Sequence, residues 1–144
     1  MAYLSMKGEA DGDLFIQKAQ HDGKEVYVPY LLDREGHMEA ALLEDMNNLE
    51  RGPMGLRKVP EDHRTAAPED MDLVLVPAVA FDEKGYRIGM GKGYYDRYLV
   101  HVPEEKRAGI VWDFQILPEV PAESFDESVP VIVTEKRILS AKRE

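Results

Sequence analysis

The chain has 144 residues, 44% of them hydrophobic and 32% charged, a balance that suits a single folded domain over residues 1–144 and is too apolar for a disordered chain. A formal net charge of −10 argues against nucleic acid or an anionic membrane surface as a partner, so an anionic ligand must be held by a few local cations. Cysteine is absent, which excludes disulfides, thiolate metal sites and thiol nucleophiles, and no apolar run approaches the roughly 18 to 20 residues that cross a bilayer.

In chain order, Ala2 to Leu4 reads as the end of a short strand. Asp11 and Asp13 precede Leu14, Phe15, Ile16 and Ala19 at helical spacing, and His21-Asp22-Gly23 closes that helix. The start carries no basic stretch followed by an apolar run, so it is not a secretory signal, and a cytoplasmic, monomeric protein is expected. Lys24 to Val28 alternates and contains β-branched residues, which predicts a strand stopped by Pro29. A second short strand is predicted over Met38 to Leu43. From Glu44 to Asp70, Gly52, Pro53, Gly55, Pro60 and Pro68 stand among many charges and predict a mostly irregular excursion within the same domain.

Asp72 to Val76 is a continuous apolar run after its first residue and ends at Pro77, the pattern of a strand buried on both faces. A polar, glycine-rich loop follows as far as Gly93, and Tyr94 to Val102 then has helical spacing. Apolar strands are predicted over Arg107 to Trp112 and Val129 to Val133, with Ile138 and Leu139 in a last edge strand. Alternating strands and helices predict an α/β fold with a mostly parallel sheet covered on both faces.

The segment that carries chemistry is Arg87-Ile88-Gly89-Met90-Gly91-Lys92-Gly93-Tyr94-Tyr95-Asp96-Arg97. Glycines at alternate positions let backbone N–H groups approach a bound anion, and a helix starting near Tyr94 directs its own N–H groups into the same space. Lys92 and Arg87 add positive charge, making a phosphate cradle in an otherwise acidic chain. A P-loop is excluded because Lys92 is followed by Gly93 and Tyr94 rather than Ser or Thr. A Rossmann fingerprint is excluded because Gly89 lies too far beyond Val76, although Asp113 mimics a ribose-binding acid. Taken alone, the glycines also suit a simple turn. His21, His37, His63 and His101 are too scattered for zinc and read as surface residues, and Ser5, Ser124, Ser128 and Ser140 lack a nucleophile elbow.

Asp72 to Pro77, Ala80-Phe81-Asp82, Gly85, Arg87 and Gly89 to Arg97 together resemble the 5-formyltetrahydrofolate cyclo-ligase family. Tyr3-Leu4-Ser5-Met6 with Glu9, Gly23 to Pro29, Gly109 to Gln115, Asp126 and Val131 to Glu135 resemble it further. The likeness spans nearly the whole chain and is weakest between Leu32 and Asp70. It implies a three-layer fold similar to the NagB/RpiA/CoA-transferase group. It also implies conversion of 5-formyltetrahydrofolate and ATP to 5,10-methenyltetrahydrofolate, ADP and phosphate, with Mg2+ as cofactor.

By the same resemblance Arg87, Ile88, Gly89, Met90, Gly91, Lys92, Gly93, Tyr94 and Tyr95 hold ATP, with Arg87, Lys92 and Tyr94 acting in catalysis. Leu4, Met6 and Glu9 face the folate together with Met90, Gly91, Lys92, Gly93 and Tyr94, and Asp96 and Asp126 bind Mg2+. Each residue has a plainer competitor. Asp96 is also a first-turn acid that favours the helix dipole, Tyr94, Tyr98 and Trp112 are also core or rim aromatics, Asp126 is also a turn residue between Ser124 and Ser128, and Glu9 is one acid among several.

The chain departs from the family pattern in places. Family members carry a basic helix with a Lys and an Arg on ATP before the first strand, and no counterpart precedes Ala2. An N-terminally short relative is therefore expected, with Arg87 and Lys92 as the nearest cations. Ala78 stands where a glycine follows Pro77 in the family, Phe125 where a histidine precedes the acid, and Val59-Pro60 where Glu-Pro is usual. The second functional reading is a truncated or divergent relative that binds nucleotide or folate with little or no catalysis. A nucleic-acid interaction module is disfavoured by the charge.

Overall fold

The computed structural model of the protein describes residues 1–52, 55–89, 93–121 and 126–140. In chain order it contains α1 (Asp13–His21), β1 (Tyr27–Leu31), β2 (Met38–Leu42), β3 (Glu50–Arg51), β4 (Arg57–Lys58), β5 (Thr65–Ala66) and β6 (Val74–Val76). These are followed by β7 (Ala80–Asp82), β8 (Arg87–Ile88), α2 (Tyr94–Leu99), β9 (Arg107–Ile110), β10 (Ile116–Leu117), β11 (Val131–Val133) and β12 (Ile138–Ser140). The strands pair in the orders β12-β11-β9-β6, β1-β2-β5, β10-β7-β8 and β3-β4. Among the described residues, no helix is long and apolar enough to cross a membrane.

The sheets are mixed, not mostly parallel as the sequence suggested. The β6–β9, β9–β11 and β7–β10 pairings are parallel, whereas β1–β2, β2–β5, β11–β12, β7–β8 and β3–β4 are antiparallel. The reason lies in the connections. A few residues between β1 and β2, β7 and β8, or β11 and β12 allow only a hairpin, because a parallel crossover needs about a dozen residues or more.

Met1 and Ala2 join the two larger sheets. The Met1 amine donates to the Leu73 carbonyl, Leu75 N donates to Met1 O at 2.8 Å, and Ala2 N donates to Tyr27 O at 2.8 Å. The expected strand at Ala2 to Leu4 is thus a joint too short to count as a regular strand. Because strand side chains alternate, the joined strands bury two separate clusters. Val74, Val76, Tyr27 and Ala40 pack with Tyr98 and Leu99 of α2. Leu75, Val26, Val28 and Ala41 pack with Ile16 of α1.

Helix α1 follows the expected bounds. Asp13 occupies its first turn, Lys18 and His21 its last, as the helix dipole favours, and Gly23 at φ +83° lets the chain leave in the left-handed conformation. Helix α2 ends at Leu99, short of the expected Val102, and continues only as turns in which His101 N donates to Tyr98 O and Val102 N to Leu99 O.

Pro29 lies inside β1 rather than stopping it. Leu43 N donates to Val26 O and Leu32 N to His37 O, so alternation along the ladder makes Pro29–Ala40 a non-hydrogen-bonded pair. The missing N–H then faces away from β2 and no ladder bond is lost.

The excursion after β2 is mostly irregular, as expected, with small pieces of strand and 3-10 turn. It is clasped to β2 by His63, whose side chain is 6% exposed and not a surface group as the sequence suggested. His63 Nε2 lies 2.7 Å from Glu39 Oε2, Nδ1 lies 2.8 Å from the Pro60 carbonyl, and the ring packs on Tyr30 at 4.4 Å. The β7–β8 hairpin was not foreseen, since its strands are too short to show a period. Its turn is built on buried Asp82, whose Oδ1 accepts from Lys84 N and Tyr86 N and whose Oδ2 accepts from Val120 N. Gly85 sits there at φ +85°, and an added Cβ would lie 2.0 Å from the Val129 carbonyl oxygen.

Two outcomes are expected. Burial alone would lower the His63 pKa, but the Glu39 carboxylate and the Pro60 carbonyl outweigh it, so the folded-state value is raised. Its contribution to stability is therefore fully present below the unfolded value of about 6.5 and is lost as pH rises through the folded value. Between about pH 6 and about pH 8 the thermal midpoint of the wild type should fall more than that of Glu39→Gln, and parallel curves would refute the clasp. Gly85→Ala should cost about 3 kcal/mol in denaturant unfolding, because the new methyl meets backbone that cannot move aside at a strained φ.

Candidate active site

The glycine loop runs from the end of β8 to the start of α2, so its two described ends are held by a hairpin and a helix. Met90, Gly91 and Lys92, the centre of the expected phosphate cradle, lie outside the described residues, as do Ser124 and Phe125. At the β8 end, Gly89 leaves room for Arg87, since an added Cβ would stand 2.6 Å from Arg87 Nη1. At the helix end, Gly93 takes the left-handed φ of +74°, and an added Cβ would stand 3.2 Å from Arg97 Nη1. A guanidinium group thus borders each end of the loop. Arg97 was not singled out as a site residue.

Arg87 is half-buried, and its guanidinium lies over the Tyr95 ring, 5.4 Å from the centroid. Its Nε is shut from solvent and has no hydrogen-bond partner among the described residues. Burial holds its pKa below the ordinary arginine value, against the opposing fields of Asp96, Tyr95 and Asp126. The Tyr95 hydroxyl is likewise buried without a partner among the described residues, and burial pushes its pKa up, with Arg87 opposing and Glu9 and Tyr3 adding. The hydroxyl is therefore neutral. Asp96 and Asp126 thus act electrostatically on Arg87, and Glu9 on Tyr95, across segments that are separate in the chain. Carboxylate oxygens such as those of Asp96 and Asp126 are of the hard donor type that suits a divalent cation carrying phosphate.

The folate-side residues expected from the sequence are placed unevenly. Leu4 packs against the cluster around Ile16, and Met6 N donates to Glu9 Oε1 at 2.6 Å, so the Glu9 carboxylate first closes its own turn. The loop that carries them is held from three sides. Tyr3 Oη donates to Ala10 O at 2.8 Å, and Trp112 Nε1 donates to Gly8 O at 3.1 Å. Arg57 makes paired 2.9 Å bonds to Asp13 and a 3.0 Å bond to Ser5 O. Trp112 stood within a matched run and was read only as an aromatic. Arg57 gave no signal, because its partner is remote in sequence and its stretch has the weakest resemblance.

The remaining residues singled out from the sequence have contacts or exposure of their own. Tyr94 Oη donates to the Asp33 carbonyl at 2.6 Å, tying α2 to the tip of the β1–β2 hairpin. Ile88 is exposed. Tyr98 is a core aromatic. Asp113 accepts from Thr134 Oγ1 at 3.0 Å and Arg137 Nε at 2.8 Å, so it braces the turn before β12 instead of meeting a ribose. At the hairpin tip Asp33, Glu35 and His37 bring possible ligand atoms within 4.8 Å of one another, but all three are exposed and His37 already pairs with Asp33.

Comparison with known proteins shows the family. A sequence model of the 5-formyltetrahydrofolate cyclo-ligase family matches residues 1–135. The Escherichia coli K12 5-formyltetrahydrofolate cyclo-ligase is 31% identical over 140 residues, covering 94% of this chain and 77% of the relative. The Saccharomyces cerevisiae 5-formyltetrahydrofolate cyclo-ligase is 34% identical over 155 residues, covering 91% and 72%. The NMR structure of Aquifex aeolicus 5,10-methenyltetrahydrofolate synthetase superposes with a TM-score of 0.81 at 33% identity, covering 99% of this chain and 71% of that one. With the matched sequence, the shared fold and the converging charged residues in hand, the chain belongs to the 5-formyltetrahydrofolate cyclo-ligase family, a family of ring-closing ligases.

Proposed function

We propose that the protein closes 5-formyltetrahydrofolate to 5,10-methenyltetrahydrofolate, using ATP and Mg2+ and releasing ADP and phosphate. The observation that carries this reading is Arg87: its buried Nε has no partner among the described residues, and its guanidinium lies over the Tyr95 ring and feels the charges of Asp96 and Asp126. A desolvated cation with an open donor is ready to receive an anion, and charge-assisted hydrogen bonds in such a site are strong.

The chemistry requires an activated formyl group, because a formamide carbonyl is a poor electrophile. The formyl oxygen attacks the γ-phosphorus and ADP leaves. N10 then attacks the formyl carbon and loses its proton, and the C–O bond breaks with its electrons going to phosphate. Arg87 and Lys92 stabilise negative charge on the transferring phosphoryl group, while the neutral Tyr95 hydroxyl supplies a hydrogen bond in the same space. Asp96 and Asp126 would hold Mg2+, which when bound neutralises charge on the ATP phosphates. Leu4 and Met6 offer apolar contact to the folate, and Glu9 accepts from the pterin through the carboxylate oxygen not bonded to Met6 N. A three-layer fold of the NagB/RpiA/CoA-transferase kind is part of this reading. It is supported by clusters on both faces of the joined strands, with α1 on one and α2 on the other.

The test mixes purified protein, 5-formyltetrahydrofolate, ATP and Mg2+ and follows the methenyl product by absorbance. Product that depends on both ATP and Mg2+ is expected, and none at any concentration of either would overturn the assignment. Gly89→Ala should stay folded, since its methyl meets only the end of a flexible side chain, yet lose about 100-fold in kcat as Arg87 is displaced. Lys92→Ala should raise the KM for ATP, and Asp96→Asn should raise the Mg2+ needed for half-maximal rate. An unchanged metal titration would return Asp96 to the role of a first-turn acid.

A further inference from the structure

Arg107 opens β9 with its side chain 6% exposed, and no step above uses it. Its guanidinium donates from Nη2 to the Leu99 carbonyl at 2.7 Å and the Val102 carbonyl at 2.9 Å, and from Nε to Val102 O at 3.2 Å. From Nη1 it donates to the Ser128 carbonyl at 2.8 Å and, more distantly, to Glu127 Oε2 at 3.4 Å. The first three bonds take the carbonyl of Leu99, the last residue of α2, and that of Val102 in the turn that follows it. The fourth takes the backbone two residues beyond Asp126.

A buried cation is an expensive way to stabilise a fold, because desolvation offsets most of what its contacts return. An arginine does offer a rigid planar fork that holds two backbone segments at a set separation and angle, which a lysine does not. Here the two segments are those that bear the candidate cation ligands. Asp96 lies about one helical turn before Leu99 on α2, and Asp126 lies two residues before Ser128, at most about 7 Å of backbone away.

We propose that Arg107 is a positioning residue of the active site: its guanidinium sets the separation of the α2 backbone carrying Asp96 from the 126–128 backbone carrying Asp126. By doing so it sets the affinity for a divalent cation bound with nucleotide. This inference rests on the assignment of Asp96 and Asp126 to the cation made above. Groups that orient metal ligands without touching the metal typically change affinity by about 10- to 100-fold when removed.

The experiment compares wild type, Arg107→Lys and Arg107→Gln as full-length proteins. Mn2+ binding in the presence of ADP is titrated by electron paramagnetic resonance, 5-formyltetrahydrofolate binding is titrated separately, and folding is checked by circular dichroism. Arg107→Gln should need about 10-fold more Mn2+ or more for half-saturation, while folate affinity changes less than about twofold, and Arg107→Lys should fall between. A folded Arg107→Gln with wild-type Mn2+ affinity, or equal loss of folate and Mn2+ binding, overturns the proposal. Should the glutamine variant not fold, the lysine variant decides on the same criterion. The wild-type titration alone reads the underlying assignment: absence of Mn2+ binding there removes the cation site itself and this inference with it, whereas normal wild-type binding with unaffected variants removes only Arg107.

Discussion

The backbone of Met1 and Ala2 lies between β6 and β1, bonded to Leu73 and Leu75 on one side and to Tyr27 on the other. Through these few hydrogen bonds a four-stranded sheet and a three-stranded sheet become neighbours, and the alternation of strand side chains then has two faces to fill. Val74 and Val76 turn toward α2, and Leu75 turns toward α1. Both halves of the candidate site leave from this joint. The loop carrying Glu9 follows Leu4 directly, and the β7–β8 hairpin carrying Arg87 follows β6.

Two arginines flank α2 in sequence, and they differ in how their donors are satisfied. Arg107 is surrounded by carbonyls that take its donors, as a buried cation must be if the fold is to tolerate it. Arg87 keeps a buried Nε without a partner among the described residues. A desolvated donor left open is expensive in a native structure, and although the core Tyr98 hydroxyl is likewise without a partner among the described residues, Arg87 is a charged donor at the border of the glycine loop. The net charge of −10 sharpens the contrast, because any anionic ligand is repelled by most of such a chain and must be met by a few placed cations.

Much of the secondary structure was legible because it rests on local pattern. The spacing of Leu14, Ile16 and Ala19 gave α1, the run through Val74 to Val76 gave a buried strand, and the glycines before Tyr94 gave the loop that leads into α2. The β7–β8 hairpin and β10 were not legible, since strands of two or three residues carry no period and their register depends on Asp82 binding backbone from both Tyr86 and Val120. His63 looked like a surface residue for a related reason: nothing near it in the chain announces Glu39, 24 positions away, as its partner.

From the residues alone, the family and the glycine loop could be read and Arg87, Tyr95, Asp96, Asp126 and Glu9 named as candidates, because motif spacing and residue chemistry are properties of the chain in one dimension. Only the folded chain decided that Arg87 lies over Tyr95, that the sheets are mixed, that Pro29 fits inside β1, and that Tyr94 is tied to Asp33. It also decided that Arg57, Trp112 and Arg107 hold the segments on which the site is built. Burial and hydrogen-bond satisfaction arise from contacts between residues far apart in sequence, so they come into being only when the sheets close on their two cores.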